Sequence, residues 1–294
     1  MIHQSVLLKE SIDLLDLKSG DIFVDGTLGN GGHTLEVVKR FGKDIKIFAF
    51  DLDEDAIERS KDRLSAFDTD ITYINKNFKD IYDILSEKKV SVNAILLDIG
   101  LSSNQLEESK RGFSFLKNEP LKMTFSKNKD SFDAYDIVNF WDEDIIKIII
   151  RQYGEERFAP KIARDIVKTR SISKIETTED LVNIILASTP KFYHHGKIHP
   201  ATKTFQALRI AVNDELTNLT EGLQSCYQIL KKDGRLSVIS FHSLEDRIVK
   251  KYFKSLEVDK LAEKINKKPV VPKDQEISEN KRSRSAKLRV KKKI

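Results

Sequence analysis

The sequence predicts an α/β protein: a doubly wound, mostly parallel sheet whose strand–helix alternation is interrupted by an all-helical insertion after the fourth strand. Three observations predict it. Short apolar runs alternate with helical stretches through the first third of the chain, the pattern of repeated βαβ units. A glycine-rich turn, Asp-Gly-Thr-Leu-Gly-Asn-Gly-Gly-His at residues 25–33, follows the first of those runs. After Gly100 strands cease for about a hundred residues of helical spacing, until an apolar run returns at residues 235–241.

Residues 22–25 (Ile-Phe-Val-Asp) read as a buried strand, and residues 34–41 have helical spacing through Leu35, Val38 and Phe41. A second strand over 46–51 leads into a helix over 55–67, with Asp53 as its N-cap. Residues 71–74 form a third strand. Residues 93–98 (Asn-Ala-Ile-Leu-Leu-Asp) form a fourth, whose apolar run suits a parallel strand covered on both faces. In the insertion, helices are expected at 132–140, at 142–153 with Gly154 as the stop, at 157–168, and at 179–188 after a Thr177-Thr178 cap. One long helix from Thr204 to Leu230 then closes at Asp233-Gly234. Residues 235–241 make strand five, and Ser243-Leu244-Glu245-Asp246 reads as the capping box of a helix ending near Ser255. Weak alternation over 286–291 suits an edge strand. The expected domains are a core over 1–105, a helical insertion over 106–202, and the rest of the core over 203–294.

Hydrophobic residues make up 39% and charged residues 33% of the chain, a balance that argues against a disordered or fibrous protein. A single cysteine, Cys226, excludes an intramolecular disulfide framework and a multi-cysteine zinc site, and a reducing cytoplasm is the expected compartment. The start, Met1-Ile2-His3-Gln4-Ser5, lacks the basic region of a signal peptide. The apolar run at 145–150 is too short to span a bilayer and contains Lys147, so no membrane partner is expected. Fifty-one basic residues against 46 acidic ones give +5, and the surplus is uneven: the segment from Lys281 to Ile294 holds eight Lys and Arg and no acid. Such a block suits a phosphate backbone, where neutralised phosphates release counterions, as well as it suits a solvated tail.

The glycines at 25–33 let backbone N–H groups approach a ligand at the positive end of a helix, which points to a nucleotide or nucleoside. The spacing is not that of the dinucleotide fingerprint, and no Gly-Lys-Ser/Thr follows to hold a triphosphate. Asp51 ends strand two about 20 residues after Gly31, where related folds place a carboxylate on ribose hydroxyls, with Asp53 as the rival. Phe78 follows strand three, where an adenine could stack on it. Asp98, at the carboxyl end of strand four beside the expected switch point in strand order, is the leading catalytic or binding candidate.

Together these segments resemble the bacterial 16S ribosomal RNA cytosine-N4 methyltransferase family. The resemblance runs nearly end to end and is carried by residues 3–10 (His-Gln-Ser-Val-Leu-Leu-Lys-Glu), 25–33, 98–106 (Asp-Ile-Gly-Leu-Ser-Ser-Asn-Gln-Leu), 111–115, 153–158, 199–209, 239–247 and 284–289. It implies a class I methyltransferase sheet with a helical insertion and an antiparallel tail strand. It also implies S-adenosylmethionine contacts at Gly31, Gly32, His33, Asp51, Phe78, Asp98 and Gln105. The substrate it implies is a cytidine of 16S rRNA in the small ribosomal subunit, near the decoding centre. The chain departs from the family's usual pattern at Ser5, Lys122, Thr124 and Lys203, positions that bear on substrate contact.

The expected reaction is in-line transfer of a sulfonium methyl to N4, with Asp98 the first choice to accept the amine's N–H and His242, at the end of strand five, the second. No metal is required. His194, His195 and His199 have no cysteine or well-spaced acid beside them and read as solvated or phosphate-contacting. The insertion, with Arg111, Arg151, Arg157, Lys161, Arg164, Lys168 and Arg170, is the candidate RNA-gripping surface. Trp141 reads as core, and the oligomeric state stays open, a homodimer included. Two rivals remain, an oxidoreductase on the same sheet and a non-catalytic ribosome-assembly factor, and binding of S-adenosylmethionine separates both from the methyltransferase.

Overall fold

The computed structural model describes residues 5–101, 105–106, 109–125 and 132–294. Outside them lie His3 and Gln4 of the first motif block and Ser102, Ser103 and Asn104 of the block that begins at Asp98. The chain forms two compact units, residues 1–100 with 216–294, and residues 101–215. The second therefore takes residues 203–215, which the sequence reading gives to the core.

In the first unit α1 (Leu8–Leu15) precedes a strict alternation: β1 (Ile22–Asp25), α2 (Gly32–Phe41), β2 (Lys46–Phe50), α3 (Glu54–Leu64), β3 (Asp70–Ile74), α4 (Ile81–Glu87) and β4 (Val92–Asp98). The helical unit contains α5 (Ala134–Phe140), α6 (Glu143–Gly154), α7 (Ala159–Arg170), α8 (Thr178–Ser188), the short α9 (Lys191–His194) and α10 (Ala201–Asn213). The chain returns through α11 (Glu215–Ile229) to β5 (Leu230–Ser240), α12 (Ser243–Val258), β6 (Ala262–Lys264), α13 (Asp274–Glu279) and β7 (Lys287–Lys293).

The seven strands lie in the order β3-β2-β1-β4-β5-β7-β6, parallel from β3 through β5, with β7 antiparallel to both its neighbours. This is the class I methyltransferase arrangement the resemblance implies. Strand order runs outward in one direction from β1 to β3 and in the other from β4, so the carboxyl ends of β1 and β4 flank the crevice where open α/β sheets bind ligands. Phe23 and Val24 of β1 and Ile95, Leu96 and Leu97 of β4 are wholly buried, as expected of parallel strands covered by helices on both faces.

Three sequence expectations need correction. The long helix is two, α10 and α11, because Asp214 adopts φ 47°, a left-handed turn that closes α10 by bonding back to Ile210. Gly154 does not stop α6. The left-handed residue is Glu155 (φ 48°), and Gly154 is the last, buried turn of the helix, where a Cβ would lie 2.5 Å from the Lys203 carbonyl oxygen. The tail strand is interior, not an edge, because β6, three residues too polar to signal a strand, pairs outside it. Asp53 is the N-cap of α3 as expected, though its side chain makes no capping bond and its amide donates to Asp51.

The core of the helical unit is aliphatic, with Ile137, Ile146, Ile150, Ile162, Ile166, Leu181, Ile185 and Leu208 wholly buried. Thr177 caps α8 in a full capping box with Asp180, as its spacing predicts. Among the described residues no helix is long and apolar enough to cross a membrane.

Candidate active site

The turn between β1 and α2 is shaped by two left-handed glycines, Gly29 (φ 53°) and Gly31 (φ 70°). Gly31 is the N-cap of α2, and a Cβ there would lie 3.1 Å from Ser60 Oγ. Gly32 is tighter still: a Cβ would overlap the Ser5 hydroxyl, so the residues just before α1 lie directly on the turn. One reason for the glycine run is therefore steric.

Asp51, immediately after β2, holds this turn. One carboxylate oxygen accepts the Gly29 amide at 2.7 Å and the other the Asp53 amide at 2.8 Å. Each oxygen keeps a second lone pair for hydroxyl donors. Burial pushes the Asp51 carboxyl up to about 6 against the pull of those two amides.

Asp98 is tied to the same turn, its amide donating to Thr27 Oγ1 at 2.6 Å. Its side chain is 23% exposed, yet Oδ1 is sealed from solvent with no hydrogen-bond partner among the described residues. Asp98 is pushed up to about 8, first by burial and then by the charges of Asp25 and Glu245. Asp25, at the end of β1, is itself raised to about 6 by burial, although Thr34 Oγ1 donates to it at 2.7 Å and the Thr27 amide at 3.2 Å. Three carboxyl groups thus share the carboxyl edge of the sheet.

His33 faces Asp98 from the first turn of α2, with Nδ1 3.7 Å from Asp98 Oδ2. Its Nε2 lies 3.2 Å from the Val6 carbonyl oxygen. A carbonyl can only accept, so Nε2 carries a proton, and Nδ1 is the ring nitrogen that faces Asp98. The residues before α1 thereby orient a ring beside the leading carboxylate.

His242 is the N-cap of α12, a place the sequence reading gives to Ser243. Glu245 N–H donates to Nδ1 at 3.4 Å, and Glu245 Oε2 accepts the Phe241 and His242 amides at 2.7 and 3.2 Å. His242 Nε2 lies 2.9 Å from Glu245 Oε1 but off the direction of a hydrogen bond, which leaves both atoms buried without one. Phe78 packs flat on α11: a Cβ on Gly222 would fall 2.3 Å from the ring. Gln105 lies in the helical unit, buried, its carbonyl accepting the Ser109 hydroxyl at 2.6 Å.

Gly31, Gly32, His33, Asp51 and Asp98 are therefore brought together at one end of the first unit, and His242 lies beside Glu245, whose charge helps raise Asp98. Asp25 and Glu245 were not among the sequence candidates. Asp25 had a usable signal, a carboxylate closing a strand that neighbours β4. Glu245 had none, since the capping box read from the sequence pairs Ser243 with Asp246, and the box that forms is His242 with Glu245.

The basic tail turns inward. Lys287 and Arg289 pair with Asp246, Lys291 with Glu257, and Lys292 with Glu263 and Asp233. Half the charge that made the tail a candidate phosphate-binding block is thus neutralised by the protein's own acids.

The raised Asp98 gives a pH signature with a definite sign. Its ordinary carboxyl value is 3.8 and its folded value about 8, so between those limits the folded chain holds the extra proton. The stability this contributes is complete below about 4 and is lost as pH rises to about 8. Asp98→Asn removes the titration, so the variant's melting temperature relative to the parent should climb with pH across that window. A constant difference would contradict it.

A family model described as the MraW methylase family matches residues 1–294. A protein named ribosomal RNA small subunit methyltransferase H, from a Sulfurihydrogenibium species, is 46% identical over 99% of each chain. One of the same name from Clostridioides difficile is 41% identical, again over 99% of each chain. Among solved structures, an rRNA methylase from Streptococcus thermophilus covers 100% of this chain and 99% of its own at 13% identity with a TM-score of 0.46, too distant a likeness to bear on the site.

Proposed function

We propose that this chain, which belongs to the MraW methylase family, methylates small-subunit ribosomal RNA from S-adenosylmethionine, and that the atom modified is the exocyclic N4 of a cytidine near the decoding centre. The observation that carries the site assignment is Asp98: a carboxyl group at the switch point, tied by its amide to the glycine turn, with one oxygen buried and without a hydrogen-bond partner among the described residues.

The residues present fit the donor. Asp51 offers free lone pairs for ribose hydroxyls, Gly31 and Gly32 bring main chain close to a ligand, and the excess of carboxyl groups around Asp98 suits a cation. We assign donor contacts to Gly31, Gly32, His33, Asp51, Phe78, Asp98 and Gln105. When bound, S-adenosylmethionine supplies an electrophilic methyl group on a positively charged sulfur.

The chain's own residues do the rest. The N4 amine is a poor nucleophile because its lone pair is delocalised into the pyrimidine ring. Asp98 as carboxylate accepts an N4–H hydrogen bond, which localises that pair, and takes the proton as the N–C bond forms. His33, its Nδ1 toward Asp98, steadies the proton that Asp98 has gained. Glu245 and the ring of His242 fix the far side of Asp98's field and hold α12 in register. The cytidine must leave any stack it occupies to reach this edge, and the helical unit is assigned to gripping the surrounding RNA.

A cation bound beside Asp98 favours its charged form. Calorimetry at neutral pH in buffers of different ionisation enthalpy should therefore show donor binding with proton release, and the release should vanish once the pH exceeds Asp98's free value of about 8. Binding without release would remove Asp98 from the donor site, and no binding would remove the methyltransferase reading.

A further inference from the structure

The helical unit carries a feature that the transfer chemistry does not use. Arg157, just before α7, is exposed, and its guanidinium lies 4.7 Å from the ring centre of Phe158, 5.0 Å from Tyr193 and 5.6 Å from Phe192. Tyr193 is held in place by its hydroxyl, which donates to the buried Glu156 at 2.6 Å, and by an edge-on contact with Phe158. Phe192 is not covered: 67% of it is exposed, against the usual burial of phenylalanine. A rigid aromatic and guanidinium base thus presents one open ring to solvent.

The surroundings are basic in a patterned way. Arg157, Lys161, Arg164 and Lys168 recur at intervals of four, three and four, which puts them on one side of α7 opposite its buried Ile162, Ala163 and Ile166. Within the helix, Lys161 to Lys168 span about 10 Å at the helical rise, and none of the four pairs with a carboxylate among the described residues. Residues 181–208 contain Lys191, Lys197 and Lys203 and no Asp or Glu. Lys191 and Lys197, on either side of the aromatic cluster, are exposed.

We infer that Phe192, backed by Arg157, is a stacking platform for an unpaired base, and that the cationic stripe of α7 carries the phosphates of the same single strand. An exposed apolar ring on a purely apolar surface would suit a protein partner. Here it stands on a guanidinium among unpaired cations, and an alternation of π-face and positive charge matches the alternation of base and phosphate. Phe192 gives sequence-tolerant stacking, and the stripe gives salt-dependent affinity. The inference deepens the reading of an RNA substrate and rests on it.

The test is fluorescence anisotropy with a labelled single-stranded RNA and with the same RNA as a duplex. Phe192→Ala should weaken single-strand binding about tenfold. Phe192→Trp should restore it, and Phe192→Leu, which keeps apolar bulk but loses the aromatic face, should not. Duplex binding should not respond to Phe192, because duplex bases are already stacked. Arg164→Ser and Lys168→Ser should each reduce the salt slope of single-strand binding by about 0.7. An unchanged Phe192→Ala, or a Phe192→Leu equal to the parent, would overturn the platform. Donor binding and subunit methylation are read on the same samples. If Phe192 governs RNA binding in a protein that methylates no ribosomal RNA, the platform stands and the substrate reading falls. If methylation proceeds while Phe192→Ala binds RNA as the parent does, the platform alone falls.

Discussion

Replacing Asp98 with Asn is expected to lower kcat for transfer to small ribosomal subunits by roughly a hundredfold to ten-thousandfold, the range for loss of a positioned general base. The substitution is nearly isosteric and keeps an acceptor, but an amide cannot take up the proton that leaves N4. Because Asn also ends the carboxyl crowding with Asp25 and Glu245, the variant should be as stable as the parent or more so at neutral pH. Loss of activity could not then be ascribed to unfolding. The parent's pH profile follows from the same burial. In the free protein Asp98 must lose a proton to act, so kcat/KM should rise with pH and level off above about 8. An Asn variant with parental kcat, or a flat profile through that range, would show that another group receives the proton.

The second large effect is expected on donor affinity. Asp51→Ala should raise the Kd for S-adenosylmethionine about ten- to a hundredfold, the loss of hydrogen bonds to a charged acceptor. Its oxygens have two duties: each already holds a backbone amide, one of them Gly29 in the glycine turn. Asp51→Asn retains one acceptor and should fall between parent and Ala. Both should leave kcat at saturating donor within a few-fold of the parent, since Asp51 contacts no reacting atom in this scheme. Equilibrium dialysis measures the first quantity and saturation kinetics the second. A Kd unchanged in Asp51→Ala would take the carboxylate off the ribose.

How much of this was legible in the sequence depended on whether local pattern or distant packing decided the outcome. Strands β1, β2 and β4 are parallel and largely buried, so their apolar runs announced them, β1 to the residue. Asp51 and Asp98 were found because a strand's carboxyl end is itself a sequence landmark. The break at Asp214 was missed because the helical periodicity continues across it, and only a left-handed residue without glycine ends α10. Strand β6 is Ala-Glu-Lys and is recruited by pairing with β7, not by propensity. The tail looked free because its partners, Asp246, Glu257, Glu263 and Asp233, are far away in sequence. The sequence reading placed the capping box one residue late, on Ser243 and Asp246, whereas His242 and Glu245 form it. That the same carboxylate lies buried beside Asp98's field comes from the sheet order, which sets β5 next to β4.

The most direct test is to incubate the purified protein with methyl-tritiated S-adenosylmethionine and small ribosomal subunits that lack the modification, and to identify the labelled nucleoside by mass spectrometry. The prediction is label in 16S rRNA as N4-methylcytidine, abolished by Asp98→Ala. Label at another atom or base would contradict the N4 assignment, and label undiminished in Asp98→Ala would contradict the site.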